Sequence, residues 1–160
     1  MEGLMAFDKK IKETLFEAGV SRLIDWLGDK GWSIDFDYLG HDEIDPNIKH
    51  VTISTRQGQE KQFYSFLHEC GHILIQQNQT KYEKEYPAQA KRSLYATNSR
   101  IERTPKYRVE VLTEEIEAWR RGKKLAQRLG IYIDDENYDK LAAKCIYTYI
   151  EWANGKDKNV

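Results

Sequence analysis

Phe63-Tyr64-Ser65-Phe66-Leu67-His68-Glu69-Cys70-Gly71-His72-Ile73-Leu74-Ile75 is the stretch from which the rest of the chain is read. It forms the apolar centre of a helix expected over residues 61–77. Two imidazoles and a carboxylate are costly to bury there without partners. Residues four apart lie one turn apart on the same helix face, so His68 and His72 can both reach one ion at about 2.0–2.1 Å. Glu69 lies about 100° round the helix from His68. It cannot easily ligate alongside both histidines, but it reaches a water on the ion and can take its proton as general base. The spacing is the H-E-x-x-H pattern of zinc sites, and zinc is the expected ion. Imidazole and carboxylate also accept other divalent metals.

A catalytic zinc needs a third protein ligand and an open position. The candidates are Glu114, Glu115 and Glu117, in a helix expected over residues 109–129 and stopped by Gly130. Periodicity separates them. Glu115 shares a face with Leu112, Trp119, Gly122, Ala126 and Leu129, the apolar side. Glu117 falls with Thr113, Arg120, Arg121, Lys124 and Arg128, the wet side. Glu114 lies between them. A carboxylate on a buried face needs a partner, so Glu115 is the expected third ligand, with Glu114 next. Cys70 lies about 200° from His68 and is read as a buried thiol turned away from the ion. Gly71 is read as a point where a neighbouring backbone comes close to the helix.

Outward from this pair of helices the period changes. Trp32, Ile34, Phe36 and Tyr38 alternate with polar residues, and so do Val51 and Ile53. Both stretches read as strands, the second over residues 50–55. Asp45-Pro46-Asn47 between them marks a turn. Leu4, Phe7, Ile11 and Leu15 predict a first helix ending near Gly19, and Ser21 then caps a short second one. A last helix is expected from Asp134 or Asp135 to Trp152, with Leu141, Cys145, Tyr149 and Trp152 on one face. Residues 81–108 show no clean period and are read as an irregular or partly helical insertion. Its basic residues outnumber its acidic ones by five, and Tyr82, Tyr86, Tyr95 and Tyr107 are interleaved. Three readings stay open: a patch for nucleic acid or an acidic partner, a lid offering Tyr or Arg to an oxyanion, or a solvated loop.

Phe66-Leu67-His68-Glu69-Cys70-Gly71-His72-Ile73-Leu74 resembles the active helix of the ImmA/IrrE-type metallopeptidases. In that family a strand precedes H-E-x-G-H, and a later helix carries a glutamate followed by x-x-Ala. Glu115-Ile116-Glu117-Ala118-Trp119 matches the later pattern, with Trp119 where the family often has Asn or Asp. Similar sequences occur among small phage-encoded metallopeptidase-like proteins. The resemblance covers roughly residues 32–129. It implies a zincin-like α+β domain with a His68, His72, Glu115 zinc site, Glu69 as catalytic base, and hydrolysis of a peptide bond in a protein or peptide substrate. It also implies, for some members, dependence on a regulatory protein partner.

The fold expectation is α+β: a small, largely antiparallel sheet packed on helices, with residues 1–155 as one domain and 156–160 as a polar tail. Hydrophobic residues at 40% and charged residues at 32% exclude disordered and membrane classes. A net charge of −1 disfavours bulk attraction to nucleic acid or membrane. Two cysteines, Cys70 and Cys145, and a charged N-terminus predict a cytoplasmic protein with reduced thiols. The alternative expectation is a non-catalytic zincin-fold module, of phage accessory or antirepressor type, that binds a host protein or DNA.

Overall fold

The computed structural model describes residues 2–94 and 99–155, with side chains for residues 7–92 and 100–155. Tyr95 and the tail 156–160 lie outside the described residues. The centre of the molecule is α2 (Gln59–Gln76), whose residues from Phe63 to Gly71 are all buried. A helix apolar on every side must be covered on every side. Helix α1 (Glu2–Asp29) covers one flank with Phe16, Leu23 and Leu27. The sheet strands β1 (Ser33–Asp37), β2 (Glu43–Asp45) and β3 (His50–Ser54) cover another, with Val51 and Ile53 fully buried. Helices α6 (Pro105–Leu129) and α7 (Asp135–Ala153) close the rest with Trp119, Leu125, Ala126, Tyr138 and Ala142. Between α2 and α6 come three short helices: α3 (Gln79–Glu85), α4 (Pro87–Leu94) and α5 (Ser99–Glu102). The class is α+β, mostly helical with a three-stranded sheet. No helix among the described residues is long and apolar enough to cross a membrane.

The sheet departs from the antiparallel expectation. Its order is β1-β3-β2, with β1 and β3 parallel and β2 antiparallel to β3. A parallel return needs a connection of roughly a dozen residues, and residues 38–49 supply it. β2 lies within that connection. Only Ile44 is apolar in Glu43-Ile44-Asp45, too short a run to show alternation. The β2–β3 hairpin turns through Asp45, whose carboxylate accepts from the Asn47 N–H at 2.9 Å, and through Lys49 at φ 51°. β3 is flanked on both sides, so the edge strand beside the cleft described below is β2.

Two other expectations change. Residues 2–29 form one continuous helix, not two. Gly19 is a packing contact within it: a Cβ there would meet the Phe63 ring at 2.8 Å. The insertion is mostly helical and partly buried. Tyr82 and Tyr86 pack with Ile75 and Ala118 in a second apolar cluster. Glu110, itself buried, accepts from the Ala88 and Gln89 N–H groups at 2.7 and 3.0 Å, and so caps α4. Thr104 and Pro105 start α6 four residues before the apolar period begins.

Helices α2 and α6 meet closely at two glycines. A Cβ built on Gly71 would lie 2.0 Å from the Ala118 carbonyl oxygen. One on Gly122 would lie 2.5 Å from the Leu67 carbonyl oxygen. Neither neighbour is a flexible side chain, so any larger residue must push the helices apart. Gly71→Ala is expected to lower stability by about 3 kcal/mol, at the upper end of overpacking costs. Gly28→Ala, where a Cβ meets nothing within 4 Å, serves as the control and should be neutral or slightly stabilising. Urea unfolding midpoints decide it: equal midpoints for Gly71→Ala and wild type would contradict the close-approach account.

Candidate metal centre

The close approach of α2 and α6 sets two histidines of one helix against two glutamates of the other. His68 Nε2 and His72 Nε2 are 3.2 Å apart. Glu115 Oε2 lies 3.2 Å from His68 Nε2, and Glu115 Oε1 lies 3.4 Å from His72 Nε2. One donor atom from each residue falls within 4.8 Å of the others, so the group can hold a metal ion. The spacing tests the fit more closely. Three donors at about 2.0–2.1 Å from a tetrahedral ion stand about 3.3 Å apart. The two imidazole nitrogens agree with that value, and each has a different Glu115 oxygen at a similar distance, Oε2 for His68 and Oε1 for His72.

Glu114 has a different place. Its Oε1 accepts from His72 Nδ1 at 3.0 Å and from Gln76 Nε2 at 2.9 Å. Its Oε2 accepts from the Tyr82 hydroxyl at 3.1 Å and from Gln89 Nε2 at 2.7 Å. A carboxylate only accepts, so a proton lies on His72 Nδ1 and Nε2 is the ring atom turned to Glu115. His68 is held by stacking instead. Its ring lies 4.4 Å from the Trp119 ring, tilted by 29°. Its Nδ1 is buried with no hydrogen-bond partner among the described residues.

Electrostatics favour positive charge where these groups meet. Burial would lower the His72 pKa, but Glu114 and Glu115 hold it well above the ordinary histidine range. Burial would raise Glu115, but hydrogen bonds and charge from His68 and His72 hold it far below the carboxylate range. Glu114 is lowered the same way, through His72, Gln76 and Gln89 against its burial. Glu69 goes in the opposite direction. Burial raises it, and the two histidines offset that only partly.

The group lines a cleft of about 260 Å³. Asp42 and, from the β2 edge, Glu43 and Ile44 line it, together with Glu69, Gln89 and Tyr149. Glu69 therefore faces the same space as His68, His72 and Glu115 without joining their group. No protein-family model, curated protein or solved structure matches this chain.

The structure brings together His68, His72, Glu115 and Glu69, and places Glu114 behind His72. Glu117 pairs with Arg120 and Arg121 on the wet face. Cys70 is buried and Cys145 partly so, both as free thiols. Sequence reasoning missed three groups. Tyr149 hydrogen-bonds Glu115 and its pKa is raised mainly by burial. Its helical register with Leu141 and Cys145 was the available signal. Tyr82 and Gln89 belong to the insertion, where no period pointed inward.

Purified protein is expected to carry about one divalent ion per chain, and His72→Ala none, by elemental analysis. Glu114→Gln should keep the fold and weaken metal affinity roughly 10–100-fold, read by competition with a chromophoric chelator. An affinity equal to wild type would remove Glu114 from any role in orienting His72.

Proposed function

We infer that the chain is a zinc-dependent peptidase of zincin-like architecture, hydrolysing a peptide bond in a protein or peptide substrate. The observation that carries this reading is one juxtaposition. His68, His72 and Glu115 stand close enough to share one ion and line a cleft, and Glu69 lines the same cleft. The resemblance of residues 66–74 and 115–119 to the ImmA/IrrE-type metallopeptidases supports it. His68 Nε2, His72 Nε2 and Glu115 would hold the zinc. When bound, the ion supplies Lewis acidity toward the scissile carbonyl and the attacking water.

The remaining steps belong to the chain. Glu69 accepts the proton of a water in the cleft, and its carboxylic acid then gives that proton to the leaving amine. Its place in the wall of the cleft lets one carboxylate serve both transfers. Glu114 keeps the His72 ring oriented through the cycle, and Tyr149 holds the Glu115 carboxylate. The β2 edge, through Glu43 and Ile44, is the strand beside the substrate path.

Glu69→Gln is expected to retain one zinc per chain and lose at least about 100-fold in turnover, the lower bound for removing a positioned base. Hydrolysis of a denatured protein substrate, followed by mass spectrometry alongside zinc content, reads both quantities. Wild-type turnover in that variant would overturn the mechanism. A wild-type protein that holds zinc and cleaves nothing would favour the non-catalytic module.

A further inference from the structure

The metal cleft continues into a second, larger groove of about 580 Å³. The two share Gln89, Val111, Glu115 and Tyr149 as a common wall. The volume is that of an ordinary ligand site. The chemistry changes along the way. The metal end is ringed by carboxylates: Asp42, Glu43, Glu69, Glu114 and Glu115. The far end is built from Arg103, Arg108, Tyr107 and Trp152.

The charge there is open. Glu102 is the acid at that end, and its Oε1 already accepts from Arg92 Nε at 2.7 Å. Arg103 is exposed and has no ion pair among the described residues. Arg108 is fixed in place. Its Nη1 donates to the Ala153 carbonyl oxygen at 3.1 Å, and its guanidinium stands 5.8 Å from the Trp152 ring centroid. Its Nε is buried without a hydrogen-bond partner among the described residues. One guanidinium held rigid beside a free one, with aromatic walls, suits a carboxylate that arrives on a chain.

We propose that this groove is a substrate subsite that binds a carboxylate of the peptide through Arg103 and Arg108. The carboxylate belongs either to an Asp or Glu side chain or to a free C-terminus. It rests on the peptidase reading above. The opposite charges of the two ends give the substrate a direction. An acidic group is repelled from the metal end and drawn to the arginine end, so the chain enters the cleft in one orientation.

Binding tests this without requiring turnover. The probes are fluorescently labelled eight-residue peptide pools, identical except for Glu or Gln at one fixed position, each made with a free or an amidated C-terminus. They are titrated by anisotropy into zinc-loaded Glu69→Gln protein. The acid-bearing form should bind roughly 10–100-fold more tightly than its neutral counterpart. A preference for Glu whatever the terminus assigns the side chain, and a preference for the free terminus assigns the terminal carboxylate. Either preference should collapse in Arg103→Glu, whose exposed position leaves folding intact by circular dichroism. Arg108→Gln should weaken the preference in the same direction. Equal binding of all four pools, or a preference that survives Arg103→Glu, overturns the proposal. Hydrolysis of the same pools by the wild type is read separately. A carboxylate preference with no hydrolysis overturns the peptidase reading and leaves the subsite standing.

Discussion

Everything at the candidate metal centre depends on how closely α2 and α6 approach. Side chains from two packed helices ordinarily face each other across 8–10 Å between axes. The nearer the backbones, the less reach glutamate and histidine need to meet there. Gly71 lies one residue before His72, and Gly122 lies two turns after Glu115. Each abuts a backbone carbonyl of the other helix. The small residues therefore do for α2 and α6 what a longer ligand side chain would otherwise have to do.

That closeness buries charge. Glu69, Glu110, Glu114 and Glu115 are all among the buried residues. Carboxylates in such a place must be matched by donors or cations. Glu115 is met by two imidazoles and Tyr149. Glu114 takes four side-chain donors, and Glu110 takes the first amides of α4. Gln89 serves two of them, its N–H going to Glu110 and its side chain to Glu114. The segment between α2 and α6 is thus part of the site's electrostatic support. Without it, two carboxylates would stay buried with most of their donors missing.

The parts legible in the sequence were those where one side-chain period reports one surface. The four-residue step from His68 to His72 and the sorting of Glu115 from Glu117 both rest on the 3.6-residue turn. Gly71 was legible for the same reason, since a glycine inside a strongly apolar helix implies contact with backbone. The parts that were not legible depend on partners far away in the chain. Gly19 looks like a stop until Phe63 is placed against it. Glu43-Ile44-Asp45 becomes a strand only because β3 returns beside it. Parallel pairing of β1 and β3 leaves no mark in either strand's own alternation. Tyr82 and Gln89 point inward because Glu114 is there to receive them, not because their neighbours form an apolar stripe. The basic excess of residues 81–108 was visible. Its division between ion pairs such as Arg92–Glu102 and Arg103, which has no ion pair among the described residues, was not.

The two histidines are held by unlike means, one by a chain of polar groups and the other by an indole. Trp119 stacks on the His68 ring at a 29° tilt, within the distance at which a cation perturbs an aromatic system. Any change in the charge carried by that imidazole is therefore imposed directly on the indole. An ion held by His68 would therefore sit one ring away from Trp119, and the indole's own ultraviolet emission would report its arrival.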